Sequence, residues 1–228
     1  MFFPSKLDSS SDSFSNLDED EVETHSHILR YGDFQLTGAV VPAYDLKVKP
    51  IQGYSTHFGS EDTIMTIVAS AEILFELFLE LTACLGEMAD VSFCYSHEIV
   101  EELCDPEDLV FDVFGHPIVT HLREDLDNCV FRSKLIDFKT IILEDGFVGV
   151  KVTDLEGQNV VEMDEHKFIF VETRNLSLFE AVLQKFRLRY YSEIPLIWEA
   201  EHLHLSETSS SDVYFEMLIS FGAEEEGG

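Results

Sequence analysis

Between residues 135 and 171 the apolar side chains recur at every second position, in runs broken by Glu144-Asp145-Gly146 and by the polar stretches 154–158 and 164–167. A period of two puts alternate side chains on opposite faces of an extended chain, and turns this short reverse its direction. The pattern predicts an antiparallel meander over residues 135–143, 147–153, 160–163 and 168–171, and it excludes an all-helical fold. Residues 196–205 and 213–221 read as a closing hairpin across the serine-rich loop 206–211, with Val213, Phe215, Met217, Ile219 and Phe221 on the buried face of the last strand.

Helical signals lie beside these strands. Residues 63–69 are β-branched and apolar, and Ser70 then precedes the strong helix formers 71–85, which stop at Gly86. A strand followed by a helix fits this run; one long helix capped by Ser60 is the competing reading. Residues 34–41 and 44–51 read as extended, 91–95 as a short strand, and 99–104, 106–114 and 118–126 as helices. Ser177 and Glu180 have the spacing of a capping box ahead of a helix to about residue 188. The resulting class is α+β, an antiparallel, meander-rich sheet with several helices packed on it. Residues 26–222 are expected to form one domain, although a change in charge near Phe131 would also suit a junction between subdomains. The Ser- and acid-rich residues 1–25 are expected to be disordered, and residues 223–228 to form an acidic flexible tail.

Forty-five Asp and Glu stand against 14 Lys and Arg, a formal charge of −31. A field of that sign repels phosphate backbones, which argues against a nucleic-acid partner. With 19 Phe and 7 Tyr the chain still has the apolar area a core requires, so the acidity belongs to the surface. It is unevenly placed: residues 51–131 hold seventeen acids and one base, Arg123, whereas residues 132–189 hold ten acids and nine bases. The apolar run 64–85 is interrupted by Glu72, Glu76 and Glu80, each costing about 2 kcal/mol or more in hydrocarbon, so a core helix is expected there and no membrane partner. Cys84, Cys94, Cys104 and Cys129 form no CxxC pair, and the first two sit in apolar runs, as reduced thiols do. Without a secretory h-region at its start, the sequence reads as cytoplasmic.

Glu72, Glu76 and Glu80, at i, i+4 and i+8, form one carboxylate stripe on an otherwise apolar helix that carries no Lys or Arg. The stripe is either the solvent edge of a nearly buried helix or a face that a cation or basic partner relieves. His202 and His204 share a strand face and have metal-ligand chemistry, but a third ligand is missing: Glu199 and Glu201 point the other way without a bulge. His25 and His27 pose the same question. His116 and His121, near Asp112, Glu124 and Asp125, supply donors for a metal hydrolase only if the chain turns sharply at Pro117. Asp164-Glu165-His166-Lys167 brings two acids beside an imidazole, and a polar turn between strands accounts for the same four residues. His97-Glu98 lacks the second histidine of a zinc-protease motif, and no nucleophile elbow or phosphate-binding loop occurs.

These features favour a non-enzymatic protein whose acidic first half docks on a basic protein, as an immunity, inhibitory or regulatory protein would, with Glu72, Glu76 and Glu80 as the binding face and no cofactor. The alternative of another class is a metal-dependent hydrolase drawing on His97, Asp112, His116, His121 and Asp125. A general acidic bias of the source proteome is a third explanation of the charge.

Overall fold

Along the strand β7, Met88–Ser96, the side chains of Ala89, Val91, Phe93 and Tyr95 are buried while Asp90, Ser92 and Cys94 on the other face are less so. That alternation is repeated in the strands beside it, and it sets the plan of the molecule. The computed structural model describes residues 3–4, 30–42, 49–59, 62–96, 110–111, 117–199, 202–206 and 210–225. The large sheet comprises β5 (Gly53–Phe58), β6 (Thr63–Val68), β7, β8 (Val110–Phe111), β9 (Pro117–Asp127), β10 (Val148–Asp154), β11 (Val160–Met163), β12 (Ile169–Thr173) and β14 (Glu224–Glu225). Its order is β14-β9-β7-β10-β11-β12-β6-β5, with β8 on β9, and every pair is antiparallel. The fold is α+β. The meander β10-β11-β12 lies between β7 and β6, so the strands formed early in the chain are split by those formed later.

Register carries one buried row across five strands: Phe93 faces Val150, Val150 faces Met163, Met163 faces Ile169, and Ile169 faces Ile67. On this row pack the helices α1 (Ala71–Thr82), α2 (Asn128–Leu135), α3 (Lys139–Glu144), α4 (Leu176–Lys185) and α5 (Ser210–Phe221). They contribute Leu77, Phe78, Leu81, Phe131, Ile142, Phe179, Leu183 and Met217 to one core. Each large apolar side chain so buried stabilises the fold by about 1.5–3 kcal/mol.

A second, smaller sheet has the order β1-β13-β4, with β1 at Phe3–Pro4, β4 at Val40–Pro42 and β13 at His202–His204 in the middle. Beneath it Phe34, Val40, Phe168, Ile194 and Ile197 belong to a core of their own. The strands β2 (Arg30–Tyr31) and β3 (Phe34–Gln35) pair with each other alone.

Four segments depart from the sequence reading, the first being the expected hairpin strand 196–205, in which Ile197–Glu199 form a 3-10 turn and His202–His204 pair with β1 and β4. Residues 135–143 are helical: α2 ends at Leu135, a 3-10 turn spans Ile136–Phe138, and α3 follows. Apolar residues at 135, 138 and 142 also fit a helical period, and Asp127 starts α2 by accepting a hydrogen bond from Val130 N–H at 3.0 Å. Residues 118–126 are strand, within β9, where Ile118, Val119 and Thr120 favour extension. Residues 213–221 lie in the helix α5, whose buried Tyr214, Met217, Leu218 and Phe221 follow the spacing i, i+3, i+4, i+7, leaving Phe215 and Ile219 exposed. Residues 63–85 resolve as strand then helix, and Ser70 precedes α1 with its hydroxyl turned to Gln35 N–H at 3.1 Å and not to the helix. Helix α4 begins at Leu176 after Asn175, which places Ser177 inside it. The expected helices at 99–104 and 106–114 lie outside the described residues, apart from Val110–Phe111, which is strand. Cys84 and Cys94 are partly buried, but Cys129 is exposed.

Candidate metal centre

The turn from β11 to β12 is closed by its own side chain. Lys167 N–H donates to Asp164 C=O at 3.1 Å, and Phe168 N–H donates to Asp164 Oδ1 at 2.7 Å. Lys167 sits at φ 67°, a left-handed conformation that costs a non-glycine residue about 1–2 kcal/mol. It is also buried, with Nζ donating to Val148 C=O at 2.6 Å. Burial lowers its pKa to about 8 against the opposing pull of Asp145, Asp164 and Glu165. A strained turn holding a buried cation is unusual in a simple connection between strands.

Its effect is to aim His166 inward, at the small sheet. His166 Nε2 lies 3.1 Å from His202 Nε2, and His202 Nε2 lies 3.1 Å from His204 Nε2. All three side chains are buried, and the three nitrogens fall within 4.8 Å of one another. The second nitrogens of two rings fix their tautomers. His166 Nδ1 faces Asp164 Oδ2 at 3.2 Å and Glu165 Oε1 at 3.4 Å, and His204 Nδ1 donates to the Gly146 carbonyl. Each Nδ1 faces acceptors and therefore carries the proton, so the neutral ring presents an Nε2 lone pair to the centre. A carboxylate or carbonyl on the outer nitrogen of a ligating histidine is the usual second layer of a metal site.

Electrostatics separates the rings. Burial alone would lower the pKa of His166, but the hydrogen bond and charge of Asp164, with the charge of Glu165, raise it above the ordinary value. Burial, reinforced by the charge of His166, drives His204 well below. Around the rings the wall is aromatic: Trp198 stands edge-on to His166 at 5.2 Å, and Phe147 packs on His204 at 5.6 Å.

Gly146 is where the two sheets meet. Its N–H donates to Leu205 C=O at 2.7 Å, and Leu205 N–H donates to Ala39 C=O at 2.8 Å. Beside it the buried Asp145 accepts from Ser206 Oγ at 2.5 Å and from Phe147 N–H at 2.8 Å. A Cβ at position 146 would collide with Ala39 C=O and crowd His204 Cβ, so this approach requires glycine.

Of the sequence candidates, His202 and His204 come together, buried on the middle strand of the small sheet. The third imidazole beside them is that of His166, which reads locally as part of a turn. His121 is elsewhere, with Nδ1 3.2 Å from Tyr214 Oη, and Asp125 N–H donates to Asp90 Oδ1 at 2.9 Å. His25, His27, His97, Asp112 and His116 lie outside the described residues. On α1 the stripe meets cations from other elements: Glu72 pairs with Arg30 at 2.7 Å and Glu80 with Lys185 at 2.8 Å. Glu76 is exposed and makes no ion pair among the described residues. No helix among the described residues is long and apolar enough to cross a membrane. Comparison with known proteins found no matching family model, no matching curated protein and no matching solved structure.

Proposed function

We propose that this protein binds one divalent transition-metal ion, of the zinc class, through Nε2 of His166, His202 and His204. The convergence of these nitrogens, with the outer nitrogens of His166 and His204 held by acceptors, carries the reading. In a tetrahedral site with Zn–N bonds of about 2.0–2.1 Å the ligand atoms are about 3.3 Å apart. The observed 3.1 Å separations need to widen only slightly. Imidazole suits zinc, nickel, copper and iron, while calcium and magnesium prefer oxygen. Asp164 and Glu165 supply negative charge next to the His166 ring. Three protein ligands leave a fourth position for water or another donor, the arrangement from which metal-assisted hydrolysis proceeds.

Titration of chelator-treated protein with Co²⁺ tests the reading. One equivalent is expected to give the visible d–d absorption of a four-coordinate site, abolished in His202→Ala and displaced by Zn²⁺. Absence of both that spectrum and calorimetric zinc binding would refute it.

A second reading keeps the acidic first half as a docking surface for a basic protein of the immunity, inhibitory or regulatory kind. The exposed Glu76, flanked by Glu72 and Glu80, supports it, with the partition of charge along the chain. Replacing all three by Gln should leave the melting temperature nearly unchanged, since exposed ion pairs contribute about 0–1 kcal/mol. Capture of a basic partner at low salt should be lost, and undiminished capture would remove this reading.

A further inference from the structure

We infer that the ion is a clasp between the two sheets: its binding decides whether the three-stranded sheet stays attached to the large one. The inference rests on the metal-binding reading above and adds how the site would regulate the protein. The ligands are divided between the parts to be joined. His166 belongs to the β11–β12 turn of the large sheet, while His202 and His204 stand on β13, the middle strand of the small one. That strand holds both its neighbours, pairing Phe3 with His204 and Val41 with Leu203. Whatever anchors β13 therefore anchors all three strands.

Apolar and polar attachments flank the three histidines at this seam. The small core under β4 is distinct from the main one and reaches across the seam, since Val40 packs there with Val68 of β6 and with Phe168. Polar links from the small sheet and its C-terminal extension run from Gly146 to Leu205 and His204, from Asp145 to Ser206, and from Ser206 to Tyr95 on β7. Units of this size open locally at free energies ranging from near zero up to that of the whole fold. An ion bound only when both sheets are in place suppresses such opening by a factor of 1 + [metal]/Kd, about 100-fold at a free concentration of 100 Kd. Metal level is thereby converted into attachment or release of the small sheet.

Amide hydrogen exchange read by mass spectrometry on the full chain, with chelator and with Zn²⁺ at 100 Kd, tests the clasp. In the metal-free protein the amides of residues 202–205 are expected to exchange at least tenfold faster than those of residues 161–171. Zinc is expected to slow them about 100-fold and narrow that gap, and His166→Ala, which leaves β13 intact, should remove the effect of zinc. Equal rates in the two sheets without metal, or equal slowing of both by zinc that calorimetry shows to be bound, would overturn the clasp and leave the metal site standing. Zinc protection that persists in His166→Ala would also overturn it. Failure of zinc to bind at all would instead overturn the reading on which it rests.

Discussion

Replacing Asp164 by Asn isolates the part of the proposed metal site that acts at second hand. The carboxylate serves two donors at once, Phe168 N–H at 2.7 Å through Oδ1 and His166 Nδ1–H at 3.2 Å through Oδ2. An amide of the same shape can serve only one. If its oxygen keeps Phe168, its NH₂ group faces the His166 N–H; if it flips, it faces the Phe168 N–H. Donor then opposes donor either way, and the easiest relief is to move the His166 proton to Nε2, which removes the lone pair the metal needs. Glu165 Oε1, at 3.4 Å from the same nitrogen, offers a partial substitute. Loss of such outer partners lowers metal affinity by about 10–100-fold. Zinc at 100 times the wild-type Kd stabilises the native protein by about 2.7 kcal/mol. At this chain length that raises the melting temperature by about 5–11 °C. With Kd raised about 30-fold, the same zinc concentration contributes only about 0.9 kcal/mol, or about 2–4 °C. Competition against a chromophoric chelator gives the two Kd values directly, and thermal melts with and without zinc give the linked shifts. Asp164→Asn with Glu165→Gln should lie at the upper end of the range. A folded Asp164→Asn protein that binds zinc within threefold of wild type would refute the tautomer argument.

Gly146→Ala should lower stability by about 1–3 kcal/mol, the usual cost of overpacking, because the new methyl group meets Ala39 C=O and His204; urea unfolding measures it, and zinc affinity should fall at least tenfold in the same variant. Tyr214→Phe leaves Phe93 C=O without the hydroxyl that donates to it at 3.0 Å, and His121 Nδ1 without its partner at 3.2 Å. A loss of about 1–3 kcal/mol is expected, and an unchanged urea midpoint would contradict it. Thiol labelling should separate the cysteines. Burial raises Cys94 to about 11, with Thr120 opposing and Glu162 and Glu165 adding to the rise, so its thiolate is scarce at pH 8 and its alkylation should accelerate only as pH approaches 11. Of the described cysteines, Cys129 is exposed and should react before Cys84 and Cys94 at pH 8, which peptide mapping after brief iodoacetamide treatment would show.

Features set by neighbouring residues were legible along the chain. Alternation marked β10, β11 and β12, and the change from β-branched residues to strong helix formers around Ser70 marked β6 and α1, because side-chain direction and backbone preference are set within a few residues. The same local rules failed where two periods overlap: Leu135, Phe138 and Ile142 satisfy a helix as well as their alternation suggests a strand, and only burial against Phe131 and Phe221 selects between them. The α2–α3 region and α5 were therefore decided by packing. The proposed metal centre shows the same division. His202 and His204 were legible as a pair, since two positions on one strand face are fixed by geometry, and Asp164-Glu165-His166-Lys167 was legible as a polar cluster. Their meeting was not, for His166 is separated from His202 by 36 residues and arrives there through the register of β12 and the docking of a second sheet at Gly146. Contacts of that kind depend on where whole elements come to rest, and no short stretch of chain encodes them.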